Sequence, residues 1–357
     1  MSGVLDLFCG CGGLSLGARA AGFQPKLSID IDSVLASSYT ENHPSAQLLM
    51  ADVRAVTSQT IVSMIGERPV GIIGGPPCQG FSSIGRRSPK DPRNELLVRF
   101  FELVAELRPA FFFVENVPGL LHDRNAEVLS RALSLVWDRY EILPPTVLKA
   151  SDFGAATTRR RVVVIGTDPD QMPIIDASVF EPLGGNKTTV RTAIGGLPDP
   201  SKTMDAARCD DEYGMLLDKL FTPPNPNYRA NVPISGFEPT EHSEEVRKRF
   251  AATPSGGTDK KSRYPKLDWQ TQAPTLRAGT GSERGSYQAA RPIHPSEPRV
   301  ITVREAARLQ GFPDWYRFHP TKWHSHRMIG NSVSPIFARE LLRRIAETFS
   351  VEGKHAA

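Results

Sequence analysis

One stretch of the sequence places a nucleophile where chemistry could use it. Gly74-Gly75-Pro76-Pro77-Cys78-Gln79-Gly80-Phe81-Ser82 follows an apolar run, and its glycines and prolines fix an unusual backbone that presents Cys78 beyond a strand end. A free thiol of pKa about 8.5 is only about 3% thiolate at pH 7, so a nucleophilic Cys78 needs a positive charge beside it. Arg86, Arg87 and the triplet Arg159 to Arg161 are the cations in view. A second apolar run, Phe111-Phe112-Phe113-Val114, ends on Glu115-Asn116-Val117. Neighbouring parallel strands end at one sheet edge, so Glu115 and Cys78 can face one site. To donate a proton near neutrality, Glu115 must rise from a pKa of about 4.3, about 3.7 kcal/mol of work by a dry pocket or a hydrogen bond to a substrate ring nitrogen.

A third group of residues suits a ligand that is neither protein nor metal. Phe8-Cys9-Gly10-Cys11-Gly12-Gly13 follows the first strand signal and opens a helix, where glycine admits close backbone approach and the helix terminus favours electronegative groups. Ser15 stands where a dinucleotide fold would want a third glycine or alanine, which weakens a nicotinamide reading. Asp30 at the end of the second strand, with Asp32 beyond it, can accept from ribose hydroxyls. Asp52, after a further strand signal at residues 47–50, can accept from an adenine amino group.

The elements that must hold these residues alternate. Residues 4–8, 27–31, 70–73, 110–114 and 162–165 read as strands, and 14–21, 33–42, 58–65, 96–107 and 126–138 as helices. Apolar strands separated by helices predict an α/β fold with an open, largely parallel sheet covered on both faces. Residues 168–300 are rich in Pro, Gly, Thr and Ser and predict a second, irregular unit of short strands and long loops. Thr302 with Glu305 has capping-box spacing before a helix. Ile336, Phe337, Leu341, Ile345 and Phe349 recur at helical spacing and predict a last helix that closes against the first unit.

Composition removes several classes. At 357 residues the chain has room for about two domains. Four cysteines without zinc-type pairs imply reduced thiols and no metal site. No apolar run approaches the roughly 20 residues that cross a bilayer, and the start lacks a signal-peptide pattern, so no membrane and a cytoplasmic place are expected. The net charge of +4 hides a separation. Residues 84–99 carry five Lys and Arg against two acids, residues 157–163 three Arg and no acid, and residues 256–304 nine against four. The remainder is acidic, and the basic stretches suit phosphates.

Taken together, the motifs resemble those of the C5-cytosine DNA methyltransferases over nearly the whole chain. The matching stretches are DLFCGCGGLSLG from Asp6, GGPPCQGFS from Gly74, ENV from Glu115, RRRVVVIG from Arg159, RVITVREAARLQGFPD from Arg299 and GNSVSP from Gly330. The resemblance implies a Rossmann-like, S-adenosylmethionine-dependent methyltransferase sheet with a smaller irregular, mainly β target-recognition domain. It implies residues 1–180 as the catalytic domain, 181–320 as the target-recognition domain and hinge, and 321–357 as a segment returning to the catalytic domain.

By the same resemblance Cys78 would attack C6 of cytosine, Glu115 would protonate or hydrogen-bond N3, and Arg159 and Arg161 would stand beside the flipped base and the nucleophile. Phe8, Gly10, Gly12, Asp30, Ile31, Asp52, Val53, Pro77, Asn331 and Ser332 fall at cofactor positions, with S-adenosyl-L-methionine as methyl donor and S-adenosyl-L-homocysteine as product. Residues 79–99 match a loop that closes over DNA, where Arg86, Arg87, Lys90, Arg93 and Arg99 can meet phosphates. Gln79, Ser82 and Arg277 join Arg86, Arg87 and Arg93 as expected DNA contacts. Cytosine C5 inside a duplex is out of reach, so the base must be extruded.

There are departures from the pattern. Ala155-Ala156-Thr157 replaces the usual Val-Pro-Gln, Asp30 a commoner Glu, and Ser334 a commoner Pro. The expected partner is double-stranded DNA with a specific cytosine-containing site, in a bacterial, nucleoid-associated setting, with or without a cognate restriction endonuclease and as a monomer. The alternatives are a transfer-RNA cytosine-5 methyltransferase and a non-catalytic DNA-binding homologue. The first characteristically carries Cys-Phe-Thr, whereas Cys209 here precedes Asp210 and Asp211. The second would not need Cys78, Glu115, Arg159 and Arg161 together.

Overall fold

The computed structural model describes residues 3–77, 94–199, 211–224, 234–279 and 291–352. Its apolar runs form β1 (Gly3–Leu7), β2 (Gln24–Asp30), β3 (Gln47–Met50), β4 (Gly71–Gly74) and β5 (Phe111–Asn116), followed by β6 (Glu141–Ile142), β7 (Thr146–Lys149) and β8 (Arg160–Thr167). The order across the sheet is β3-β2-β1-β4-β5-β8-β6, with β7 also paired to β8. The first five strands are parallel, as expected. The strand expected at 162–165 is longer and runs antiparallel to β5, β6 and β7. All six β5 residues are buried, and their alternation sends Phe111 and Phe113 to one face and Phe112 to the other. Each such ring contributes on the order of 1.5–3 kcal/mol by leaving water.

Helices cover both faces. On one lie α1 (Gly13–Ala20) and the last helix; on the other lie α3 (Ser58–Ile65), α4 (Asn94–Leu107) and α5 (Ala126–Ser134). The helix expected over 33–42 is instead a series of turns ending in a single short helix, α2 (Tyr39–Asn42). The reason is local: the Asp32 carboxylate accepts the Val34 and Leu35 N–H groups, and the Ser37 hydroxyl donates to Val34 O, so side chains take bonds that a helix would make along its backbone.

Residues 181–320 are irregular, and their regular elements among the described residues are helices: α6 (Val190–Ile194), α7 (Glu212–Leu220), α8 (Glu244–Ala252) and α9 (Val303–Gln310). Their β-structure there is limited to isolated bridges such as Thr258 to Pro265 and Lys266 to Ile293. Pro254, Pro265, Pro274, Pro292, Pro295 and Pro298 remove the N–H groups that a longer ladder would use. The eight residues of α9 are all buried, and the Thr302–Glu305 capping box holds its start.

The chain then forms α10 (Lys322–Asn331) and α11 (Pro335–Glu352). Phe337, Leu341 and Ile345 return to the core beside Leu14 and Ala18, which realises the expected closure. Among the described residues no helix is long and apolar enough to cross a membrane.

Candidate functional site

The strand order makes the crevice. From β1 the chain moves outward through β2 and β3, then crosses back to β4 on the other side of β1. This reversal leaves an opening at the carboxyl ends of β1 and β4, where the glycine loop and the Gly-Gly-Pro-Pro segment emerge. Phe8 (φ 65°), Gly10 (φ 52°) and Gly12 (φ 88°) are all left-handed, so the loop turns three times in five residues. A Cβ added to Gly10 would meet nothing within 4 Å, so there is free space over the loop.

Asp30 borders that space. It is only 8% exposed and accepts the Gly10 N–H at 2.7 Å and the Asp32 N–H at 2.8 Å. Burial pushes its carboxyl above the usual range, against those backbone donors. Ile31 beside it is 68% exposed, an apolar surface open to a ligand ring. Asp52 caps a single turn at Val53–Ala55, and the Arg54 guanidinium, at 2.5 to 3.0 Å, holds its carboxyl below the ordinary range. Val53 places its side chain in the core, leaving only its backbone for a ligand. Asp32 is committed to the turn after it and to Arg327 of α10, 2.6 Å away, rather than being free for a ribose.

The carboxylate and the arginines meet because of register. Glu115 pairs with Val163 across the β5–β8 ladder, so Arg161, two residues earlier, projects from the same face of the sheet. Arg161 Nε lies 2.7 Å from Glu115 Oε1 and Arg159 Nη2 3.9 Å from it, all three side chains being largely buried. Arg159 also donates to Gly330 O at 2.8 Å, tying the pocket to the end of α10, which carries Asn331 with Ser332 just after it. The pocket is thus dry but cationic, with two of the arginines singled out in the sequence beside the carboxylate.

The segment leading to the nucleophile is held at the same place. Asn116 donates its side-chain amide to Pro76 O at 3.3 Å, and a Cβ on Gly75 would lie 3.6 Å from Glu115 Oε2. Pro77 is half-buried at the crevice edge. Cys78, Gln79, Ser82, Arg86, Arg87, Lys90 and Arg93 lie outside the described residues, as does Cys209. Arg99, expected to reach phosphates, instead lies on α4, paired with Glu102 and Glu106 and donating to Val56 O.

Across the crevice, Asn331 is exposed and Ser332 half-buried. Gly330 has no room for a side chain, since a Cβ would fall 2.5 Å from Ala278 N. That close approach brings the exposed Arg277 alongside the site. Thr157 is fully buried and turned toward Pro274 O, with Thr158 N and Ala156 O both bonded to Ala273. The position that departs from the family glutamine therefore anchors the second unit. Sequence reasoning missed Asn116 as the tether, and Arg327, Tyr316 and His43 as supports of the loops. Among the described residues no cluster of three His, Cys, Asp or Glu could hold a metal.

A family model described as C-5 cytosine-specific DNA methylase matches residues 3–347. The Type II methyltransferase M.XorII of Xanthomonas oryzae pv. oryzae is 40% identical over 94% of this chain and 82% of its own length. M.DdeI of Desulfomicrobium norvegicum is 29% identical over 97% of this chain and 89% of its own. Among solved structures, an E. coli prophage protein described as a DNA modification methyltransferase superposes with a TM-score of 0.86 at 40% identity, covering 98% of this chain and 100% of that one. The S. pombe Dnmt2 methyltransferase, at 17% identity, TM-score 0.66 and coverage of 99% and 100%, shares the fold.

Proposed function

The chain belongs to the C-5 cytosine-specific DNA methylase family and is a DNA cytosine-5-methyltransferase, and from that premise we propose a mechanism and a set of residues that carry it. The substrate is a cytosine extruded from a specific duplex sequence. Cys78 attacks C6 as the thiolate, aided by the positive charge of Arg159 and Arg161. The electron pair moves through the ring toward N3, where Glu115 supplies the hydrogen bond or proton, and C5 becomes nucleophilic. S-adenosylmethionine, when bound, supplies an electrophilic methyl group and leaves as the neutral thioether. Water then takes the C5 proton, the freed electron pair re-forms the C5–C6 double bond and expels Cys78 as thiolate, and the N3 proton returns to Glu115, which restores the aromatic ring.

The observation that carries this reading is the convergence of Glu115, Arg161 and Arg159 at the crevice beside the Pro76–Pro77 tether. The site also fits the methyl donor. There is free space over Gly10, a carboxylate at Asp30 for ribose hydroxyls, and the exposed Ile31 for an adenine face. Phe8, Gly12, Pro77, Asn331 and Ser332 border that space, and Val53 contributes through its backbone. Asp52 can take the adenine amino group once Arg54 swings aside, a small cost because solvent screens so exposed an ion pair. Gln79, Ser82, Arg86, Arg87, Arg93 and Arg277 are proposed to contact DNA. The relatives' description as Type II methyltransferases carries over as the proposal that this enzyme protects a site against a restriction endonuclease, acting as a monomer.

The test is covalent trapping. Duplex DNA carrying 5-fluorocytosine at the target, with S-adenosylmethionine, should give an adduct that survives denaturation, because fluorine blocks the final elimination. Cys78→Ser should give none while still binding S-adenosylmethionine. A wild-type enzyme that methylates DNA without a trappable adduct would overturn the mechanism.

A further inference from the structure

The glycine loop is fastened from below by a residue that belongs to the other end of the chain. Tyr316 lies in the segment after α9 and is fully buried. Its hydroxyl donates to the Cys11 carbonyl, between Gly10 and Gly12, and lies 2.9 Å from His43 Nε2. A phenol has one proton and a carbonyl can only accept, so that proton goes to Cys11. His43 must then donate to the phenol oxygen, which fixes its Nε2–H tautomer. Burial, with the nearby Arg19, lowers the His43 pKa to about 3, so the ring is neutral at working pH. Gly12 makes the arrangement possible, since a Cβ there would fall 2.5 Å from His43 Nε2 and 2.9 Å from the Tyr316 hydroxyl.

The same segment is held on both sides. The Asn42 side-chain amide accepts from Arg317 N at 2.9 Å and donates to Arg317 O at 2.8 Å, and Arg304 of α9 donates to Tyr316 O at 3.1 Å. The loop above needs such support. Phe8 is a bulky left-handed residue, a conformation that is strained and persists only when its surroundings enforce it. One anchor is Asp30 on the Gly10 N–H, and the other is Tyr316 on the Cys11 carbonyl.

We propose that Tyr316, with His43 behind it, is a positioning residue that holds the glycine loop in its cofactor-binding form, so that seating of the segment after α9 sets cofactor affinity. The inference rests on the proposed role of residues 8–12 in binding S-adenosylmethionine. Tyr316→Phe keeps the ring and removes only the hydroxyl, leaving the Cys11 carbonyl without this donor and releasing the loop to relax.

Calorimetric titration with S-adenosylhomocysteine should show Kd raised about tenfold in Tyr316→Phe, with DNA affinity and kcat at saturating cofactor within about twofold of wild type. His43→Gln, which offers an amide donor in place of Nε2–H, should stay near wild type, whereas His43→Phe should match Tyr316→Phe. The double variant Tyr316→Phe with His43→Phe should be no weaker than either single, since both remove one relay. An unchanged Kd in folded Tyr316→Phe, or additive losses in the double variant, would overturn the proposal. A wild-type protein that failed to bind S-adenosylhomocysteine would instead overturn the cofactor reading beneath it.

Discussion

Glu115 pairs with Arg161 inside a pocket that also holds Arg159, so its charge both balances the cations and, in the proposed reaction, meets the cytosine ring. Glu115→Gln keeps the volume and removes the acid–base carboxyl. Single-turnover methyl transfer should slow by about a hundredfold or more, the usual scale for a general acid, while DNA binding persists because the exposed cations are untouched. A rate near wild type would remove Glu115 from the chemistry. Asp6 gives a second test at this scale. It is fully buried beneath the glycine loop, accepts from Ser15 Oγ at 2.5 Å, and burial, reinforced by the Asp30 charge, pushes its pKa up to about 7. The folded chain therefore keeps a proton that the unfolded chain releases near pH 4, and stability falls as pH rises toward and through 7. Asp6→Asn removes that titration. Its urea midpoint should gain on the wild type's between about pH 5 and about pH 8, and parallel curves would refute the shift. Glu115 was legible in sequence because it ends an apolar run; its arginine partner was legible as a pair of family positions. What was not legible was the committed state of other charges. Asp52 is engaged by Arg54, Arg99 by Glu102 and Glu106, and Asp32 by an arginine 295 residues away, and none of these pairings leaves a local pattern.

The five parallel strands could be read from β-rich apolar runs spaced by helices, and the 58–65 helix was placed to the residue. Strand direction could not. The strand expected at 162–165 looks like its predecessors in composition, and it becomes antiparallel because β6 and β7 intervene before β8 returns beside β5. That reversal is what brings the chain to Arg159 and Arg161 next to Glu115. At Gly330, near the end of α10, the absent Cβ lets residues 277 and 278 pack against the helix within 2.5 to 2.7 Å of its position. Gly330→Ala forces one backbone off the other. The expected cost is about 1–3 kcal/mol in denaturant stability, together with weaker DNA binding as Arg277 is displaced. A variant with wild-type stability and affinity would show that this contact does not set the placement of the second unit.

Seen over the whole molecule, the basic stretches of the sequence are not equivalent surfaces. In residues 256–304, Lys266 is buried against Phe250 O, Arg299 is paired with Glu297 and Glu305, and the Arg304 side chain is fully buried. Arg159 and Arg161 are likewise spent inside the pocket, and Arg99 on its own helix. Formal charge thus overstates the cations that face DNA, and the salt dependence of binding separates the two populations. Each phosphate neutralised by an exposed cation contributes about 0.9 to the slope of log affinity against log salt. Arg277 is exposed beside the site, so Arg277→Ala should lower the steepness by about 0.9 and weaken binding most at low salt. Arg99→Ala should leave the slope unchanged, because its guanidinium already has carboxylate partners. Titrations of target duplex at several salt concentrations read both. If Arg99→Ala reduced the slope and Arg277→Ala did not, DNA would have to cross α4 rather than the crevice between the two units, and the cationic surface would belong to the opposite side of the site.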